Sequence, residues 1–185
     1  MEHRFDTDKY AAGYIPYYLE RVRSPRRLLE VGVRNGGSLQ LWCELWPSLE
    51  RVVGLDIQPP LPKLHPRIVV LQADQNDAPL LDRIASEYGP FDLVIDDASH
   101  FGNASWTTFC ALWPHVVPGG IYVIEDWGTG YRSDWPDGAE YQPGPPPGHV
   151  SGMAGTIKRL VDEIEGGQVE RLDLLMGLAF AFKAG

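Results

Sequence analysis

The stretch Phe91-Asp92-Leu93-Val94-Ile95-Asp96-Asp97-Ala98-Ser99-His100 decides the fold. Its apolar run ends in two acids and a histidine, and short apolar runs bounded by turn residues are typical of buried strands in a parallel sheet. The pattern recurs where Gly120-Ile121-Tyr122-Val123 leads into Ile124-Glu125-Asp126-Trp127. Ligands of open α/β sheets bind outside the carboxyl ends of the strands. The polar residues after both strands should therefore meet in one crevice.

The residues expected in that crevice are Asp97, His100, Glu125 and Asp126. Three carboxylates so close together repel one another unless a cation shares them. A metal-assisted site, with the three acids as ligands, is therefore the first hypothesis. Two alternatives stay open: the acids could be solvated at the surface, and His100 could be a structural residue or the N-cap of the next helix.

The rest of the chain alternates strand-like and helix-like segments, which predicts a doubly wound, Rossmann-like α/β sheet. Further strands are predicted at Arg27–Val31, Arg51–Asp56 and Arg67–Gln72, and helices at Tyr14–Val22, Ser38–Trp46 (capped by Ser38), Pro79–Tyr88, Ser105–Trp113 and Met153–Glu165. The final runs Val169–Met176 and Leu178–Lys183 join tightly around Gly177 as a hairpin. The mostly parallel sheet should therefore end in an antiparallel strand.

Length and composition restrict the class of protein. The 185 residues suffice for one domain with a core, and the formal net charge of −9 argues against a nucleic-acid partner. No apolar stretch suits a membrane span, and the N-terminus has no signal-peptide pattern. Cys43 and Cys110 are expected to be reduced thiols. These features predict a cytoplasmic protein.

Two segments flank the predicted sheet. Residues 1–24 form an N-terminal helical segment that could dock against the sheet and cover one of its edges. The Pro/Gly-rich segment Trp127–Val150 leaves the carboxylate cluster directly, and it is interpreted either as a lid over the site or as a connection without function. Within it, Trp127 and Trp135 could line an acceptor pocket or simply pack.

A glycine-rich turn follows the first strand, in Glu30-Val31-Gly32-Val33-Arg34-Asn35-Gly36-Gly37-Ser38. Arg34 stands where a dinucleotide fingerprint needs glycine, and no Walker lysine follows. Asp56 ends the second strand, where an acid can accept hydrogen bonds from ribose hydroxyls. Asp74 follows the third strand and could meet a base edge. Turn and acids together indicate a nucleoside-type cofactor.

This combination resembles the class I methyltransferases, and more narrowly the metal-dependent macrocin and mycinamicin sugar O-methyltransferases. The resemblance is carried by Thr7–Lys9, Gly13–Pro16, Leu28–Val33, Gly37–Trp42, Phe91–His100 and Pro118–Asp126. It implies S-adenosylmethionine and Mg²⁺ as cofactors, and an acceptor that is a small hydroxylated molecule such as a sugar of an antibiotic. It also implies that the N-terminal segment, residues 1–24, is a lid that closes over the cofactor.

The resemblance also implies roles for individual residues. Magnesium would be bound by Asp97, Glu125 and Asp126, with His100 as the general base. The cofactor would be bound by Tyr14, Glu30, Gly32, Gly36, Ser38, Asp56, Asp74, Gln75 and Asp96. For Asp96 a second interpretation stays open, in which its carboxylate only accepts hydrogen bonds from backbone amides at the strand end.

Two other functions remain as alternatives. A non-haem iron hydroxylase commonly needs two histidines and one carboxylate at iron, and His100 is the one histidine expected near the cluster. A non-catalytic cofactor-binding module of the same fold is the other. The sequence leaves the acceptor, its regiochemistry and the oligomeric state open, although the N-terminal segment or the Trp127–Val150 segment could be exchanged between subunits.

Overall fold

A computed structural model describes residues 4–59, 65–138 and 152–185. The strands are β1 (Arg27–Val31), β2 (Arg51–Asp56), β3 (Ile68–Gln72), β4 (Phe91–Asp96), β5 (Val116–Glu125), β6 (Arg171–Leu175) and β7 (Leu178–Phe182). The helices are α1 (Ile15–Arg21), α2 (Gly37–Leu45), α3 (Ala78–Tyr88), α4 (Gly102–Leu112) and α5 (Gly152–Glu165). Every strand and helix predicted from the sequence is present, with small shifts at the ends.

The strands form one sheet in the order β3-β2-β1-β4-β5-β7-β6. Strands β1 to β5 are parallel to one another, and β7 pairs antiparallel with both β5 and β6. This arrangement confirms the predicted sheet and its antiparallel C-terminal strand. Strand order reverses between β1 and β4, which is where open α/β sheets bind ligands.

Alternate residues of the central strands pack on opposite faces of the sheet, as the two-residue period of a strand requires. Leu29, Val94 and Ile124 belong to the core that contacts α3, α4 and α5. Their neighbours Leu28 and Leu93 belong to the core beneath α1 and α2. Helices therefore cover both faces, and the carboxyl ends of the strands are left free for a site.

The predicted cap of α2 is wrong. Gly36, not Ser38, is the N-cap residue, and it has the left-handed conformation with φ of 75°. Ser38 lies inside the first turn, where its hydroxyl donates to Glu30 Oε2 at 2.8 Å. A hydrogen bond to a charged carboxylate is stronger than one to a neutral backbone amide at the helix end, so tertiary contact overrides local capping.

The segment after β5 begins in an ordered way. A 3₁₀ turn spans Trp127–Tyr131, and the Asp126 amide donates to the Gly177 carbonyl at 2.6 Å. The hairpin tip is thereby attached to the end of β5. The remainder of the predicted lid, beyond residue 138, lies outside the described residues. Within the described ranges, no helix has both the length and the apolar character of a membrane span.

Candidate active site

The turn after β1 passes very close to the end of β4. The Asp97 amide donates to the Val31 carbonyl at 2.9 Å, and Gly32 has φ of 86°. A Cβ at Gly32 would lie 2.1 Å from the Asp97 carbonyl oxygen. Because that oxygen is backbone, no side-chain movement would relieve the clash. Glycine at this position lets the two strand ends form one continuous rim.

A buried lysine lies at the centre of the carboxylates. The Lys9 ammonium is 2.8 Å from Asp97 Oδ2, 2.8 Å from Glu125 Oε1 and 3.4 Å from Glu30 Oε1. The residue is 1% exposed. Charged lysines are almost never fully buried unless they are paired. Part of the cation charge that the clustered acids require is therefore supplied by the protein itself.

Two tyrosines of the N-terminal segment fix the acids that follow β5. The Tyr18 hydroxyl donates to Glu125 Oε1 at 2.6 Å, and the Tyr14 hydroxyl donates to Asp126 Oδ1. Residues four apart lie on the same face of a helix, which explains how one short segment reaches both carboxylates. The adjacent acids Glu125 and Asp126 are consequently held by different partners.

His100 faces two of the carboxylates. Its Nε2 atom lies 3.9 Å from Asp97 Oδ1 and 3.7 Å from Asp126 Oδ2. One ligand atom from each of these three residues lies within 4.8 Å of the others, and a second such group joins Glu30, Asp97 and Glu125. Among the predicted metal ligands, Asp97 and Asp126 are therefore brought together beside His100, while Glu125 lies on the Lys9 side of Asp97.

Burial dominates the electrostatics of the acids. Desolvation raises the pKa of Asp97 to about 7 and that of Glu125 to about 8, although Lys9 opposes both shifts. Burial likewise raises the pKa of Glu30, and it raises the pKa of Asp96 to about 6. Carboxylates with such perturbed pKa values cluster at functional sites more often than elsewhere.

The predicted cofactor residues separate into two sets. Gly32, Ser38, Asp56, Asp74 and Gln75 line two cavities at the carboxyl ends of β1 and β2. Tyr14, Glu30, Gly36 and Asp96 are not among the residues that line either cavity. In this second set, Glu30 accepts hydrogen bonds from Ser38 and the Trp42 indole, and Asp96 accepts one from Gln75 at 3.4 Å.

The first cavity has a volume of about 320 Å³ and extends between Asp56 and Asp74. The second, of about 290 Å³, extends from Asp56 past Lys9 to His100. Gly32, Asp56 and Ala98 line both, so the two cavities form one crevice along the strand ends. Asp56 Oδ2 also accepts hydrogen bonds from the Val33 and Arg34 amides, which fixes its carboxylate at the junction.

A third cavity, of about 570 Å³, lies beyond His100. His100 and Asp126 form its inner end, and Trp135 and Met176 form part of its wall. The Trp135 indole donates to the His100 carbonyl at 3.1 Å, and its ring lies 5.9 Å from the imidazole. Trp127 donates instead to the Leu175 carbonyl and packs against the core. Of the two tryptophans, Trp135 lines this cavity.

Sequence reasoning misses the roles of Lys9 and Tyr18 at the carboxylates. Lys9 enters the sequence-based predictions only through the Thr7–Lys9 motif, and nothing in its local sequence shows that it is buried. Tyr18 carries a weak signal, because it lies four residues after Tyr14 on one face of a helix. Contacts across more than eighty residues of chain join these side chains to the acids.

The fold and the crevice define an α/β protein of the methyltransferase class. A family model described as a methyltransferase domain matches residues 29–127, and the chain belongs to this family. The matched region contains the glycine-rich turn, the crevice acids Asp56 and Asp74, and the clustered acids Glu30, Asp97, Glu125 and Asp126. The N-terminal residues that contact this cluster, Lys9, Tyr14 and Tyr18, lie before the matched region.

Particular relatives agree with the family. The mycinamicin VI 2''-O-methyltransferase of Micromonospora griseorubida is 41% identical over 89% of this chain, which covers 43% of that protein. The demethylmacrocin O-methyltransferase of Streptomyces fradiae is 38% identical over 89% of this chain and 44% of that protein. The predicted resemblance to macrocin and mycinamicin methyltransferases is confirmed.

A solved structure shares the fold. The MycE methyltransferase of the mycinamycin biosynthetic pathway, in complex with Mg, SAH and mycinamycin VI, superposes with a TM-score of 0.77 at 36% identity. The match covers 92% of this chain and 48% of that one. This chain therefore spans less than half the length of the relatives named here.

Proposed function

We propose that this chain is an S-adenosylmethionine-dependent, magnesium-assisted O-methyltransferase that acts on a hydroxyl of a sugar or glycosylated small molecule. One observation carries the proposal. Asp97 and Asp126 each use one carboxylate oxygen in a contact with the N-terminal segment and direct the other toward His100, at the end of the crevice. The relatives named as O-methyltransferases support the same reaction class.

The donor set fits Mg²⁺. This ion prefers hard oxygen ligands and is usually held by one or two carboxylates, with other positions left for water or substrate. Asp97 Oδ1 and Asp126 Oδ2 are such oxygens, and both residues place a ligand atom within 4.8 Å of a common neighbour, His100. The role of Glu125 as a third ligand stays a prediction, because its Oε1 contacts Lys9 and Tyr18.

The crevice fits a nucleoside cofactor with an extended tail. Asp56 lies at the junction of the two cavities, where a ribose would meet it, and Asp74 lies in the far cavity, where a base would lie. The second cavity then directs the tail past Lys9 toward His100. His100 lines both the second and the third cavity, so a methyl donor bound in the second would face an acceptor bound in the third.

His100 is the proposed general base. Methyl transfer is an in-line displacement in which the acceptor oxygen forms the new C–O bond, the S–C bond breaks and S-adenosylhomocysteine leaves. When bound, Mg²⁺ would make an acceptor hydroxyl more acidic by polarising it. The proton passes to Nε2 of His100, because imidazole is the side chain that most often acts as a general base. Asp97 and Asp126 lie close enough to that nitrogen to stabilise the imidazolium.

The catalytic test uses purified protein, S-adenosylmethionine, Mg²⁺ and a glycoside library, with release of S-adenosylhomocysteine as the readout. Turnover is expected with a glycoside acceptor, and EDTA should abolish it. Asp97→Asn and Asp126→Asn should each lower turnover by at least about 100-fold, which corresponds to about 2.7 kcal/mol. Turnover that is unchanged by EDTA or by Asp97→Asn would refute the metal assignment.

Asp82→Asn provides a matched control, because this exposed carboxylate pairs with His115 away from the crevice. Its turnover should equal that of the wild type. Glu125→Gln tests whether Glu125 is a metal ligand or only a partner of Lys9 and Tyr18. If it is a ligand, the substitution should weaken Mn²⁺ binding as strongly as Asp97→Asn does.

The hydroxylase alternative is disfavoured, because the metal-capable groups found among the described residues contain a single histidine.

A further inference from the structure

We propose that Lys9 is a positioning residue of the divalent-cation site, whose buried ammonium orients the Asp97 carboxylate toward His100. The inference rests on the cation site of the proposed function and adds to it a residue outside the family-matched region, residues 29–127. Lys9 reaches the site from the N-terminal segment, so it makes that segment part of the active site.

The contacts fix the direction in which Asp97 points. Oδ2 of Asp97 receives a hydrogen bond from the Lys9 ammonium at 2.8 Å, and Oδ1 is the oxygen that faces His100. A carboxylate with one oxygen held by a buried cation loses the freedom to rotate. The oxygen on the other side is then presented at a fixed place, which is what residues that hydrogen-bond to metal ligands commonly ensure.

Lys9 is itself held firmly. Glu125 Oε1 lies 2.8 Å away, Glu30 Oε1 lies 3.4 Å away, and the ammonium is 5.8 Å from the centre of the Trp42 ring. Three carboxylates within 3.4 Å of its nitrogen stabilise the positive charge of Lys9, which allows a charged side chain to be buried here. Its position is determined by three acids and an aromatic face.

The test measures binding of Mn²⁺ alone to the full chain, by electron paramagnetic resonance of free Mn²⁺. Lys9→Met should weaken the Kd by at least about tenfold, within the range seen when a partner of a metal ligand is removed. Lys183→Met is the matched control, because its ammonium contacts the carbonyls of Trp113 and Val116 at the opposite end of β5. Its Mn²⁺ affinity should be unchanged.

A charge-matched double variant separates positioning from charge and from folding. Lys9→Met combined with Glu30→Gln removes one positive and one negative group, so the formal charge of the cluster returns to its wild-type value. This variant is expected to unfold near the wild-type Tm and still to bind Mn²⁺ at least about tenfold more weakly than the wild type, which has the same formal charge in the cluster. Restored affinity would overturn the proposal, because Lys9 would then act through charge only. A double variant that does not fold would also overturn it and leave Lys9 a structural residue.

The positioning role and the proposed function can fail separately, because the first is measured by Mn²⁺ affinity and the second by methyl transfer. Weakened Mn²⁺ binding in Lys9→Met supports the positioning role even if the wild type methylates no glycoside. Methyl transfer by the wild type together with unchanged Mn²⁺ affinity in Lys9→Met overturns the positioning role alone. A wild-type protein that binds no Mn²⁺ overturns both.

Discussion

Gly177 at the hairpin tip controls the hydrogen bond between Tyr14 and Asp126, and the substitution Gly177→Ala tests this directly. Gly177 has φ of 82°, and a Cβ there would lie 2.1 Å from the Tyr14 hydroxyl oxygen. That oxygen would have to move by about 1.3 Å to reach the 3.4 Å at which ordinary contact begins. Tyr14 could not then keep its bond to Asp126 Oδ1.

The magnitude follows from two contributions. A left-handed conformation costs a residue with a Cβ about 1–2 kcal/mol, and loss of a hydrogen bond to a charged group costs about 1.5–3 kcal/mol. Gly177→Ala should therefore lower the free energy of unfolding by about 2.5–5 kcal/mol, as measured by urea unfolding followed by tryptophan fluorescence. Gly119→Ala isolates the first contribution, because Gly119 has φ of 73° and no atom lies within 4 Å of the place that a Cβ would occupy there.

Tyr14→Phe isolates the second contribution and should cost about 1.5–3 kcal/mol. The bond to Asp126 can be lost only once, so the double variant with Gly177→Ala should fall short of the summed single effects by the same amount. Additivity within about 0.5 kcal/mol would refute the shared bond. Equal effects of Gly177→Ala and Gly119→Ala would refute the steric argument.

Three other outcomes are expected. In Gly32→Ala the added Cβ collides with the backbone of Asp97 and pushes the turn into the crevice. Calorimetry should therefore show S-adenosylhomocysteine binding weakened by at least about tenfold, which corresponds to about 1.4 kcal/mol. Trp135→Phe keeps a ring beside His100 but loses the indole hydrogen bond to the His100 carbonyl. The kcat should therefore fall about 3- to 10-fold, and an unchanged kcat would show that this hydrogen bond does not help to position His100. Met176→Ser should raise KM for a glycoside while the free energy of unfolding stays within about 0.5 kcal/mol, because this side chain is 94% exposed at the rim of the third cavity.

The strands were predictable because their signal is local. The segments Arg27–Val31, Arg51–Asp56 and Phe91–Asp96 are short and rich in apolar residues, and the structure gives the same bounds. Gly177 between two β-like runs likewise predicted the antiparallel hairpin. The cap of α2 was not predictable. The Ser38 hydroxyl donates to the buried Glu30 carboxylate instead of capping the helix, and the residues next to Ser38 in the sequence do not reveal this contact.

For the site, the sequence by itself determined which strand ends carry Asp97, His100 and Asp126, since parallel strands bring their carboxyl ends to one edge. Only the tertiary structure decided what each acid contacts. Glu125 and Asp126 are adjacent in the chain, yet Lys9 and Tyr18 hold one while Tyr14 holds the other. Periodicity indicates which way a strand residue faces, but it contains no information about a partner 88 to 112 residues away in the chain. The position of the lysine among the carboxylates is therefore decided only when the chain folds.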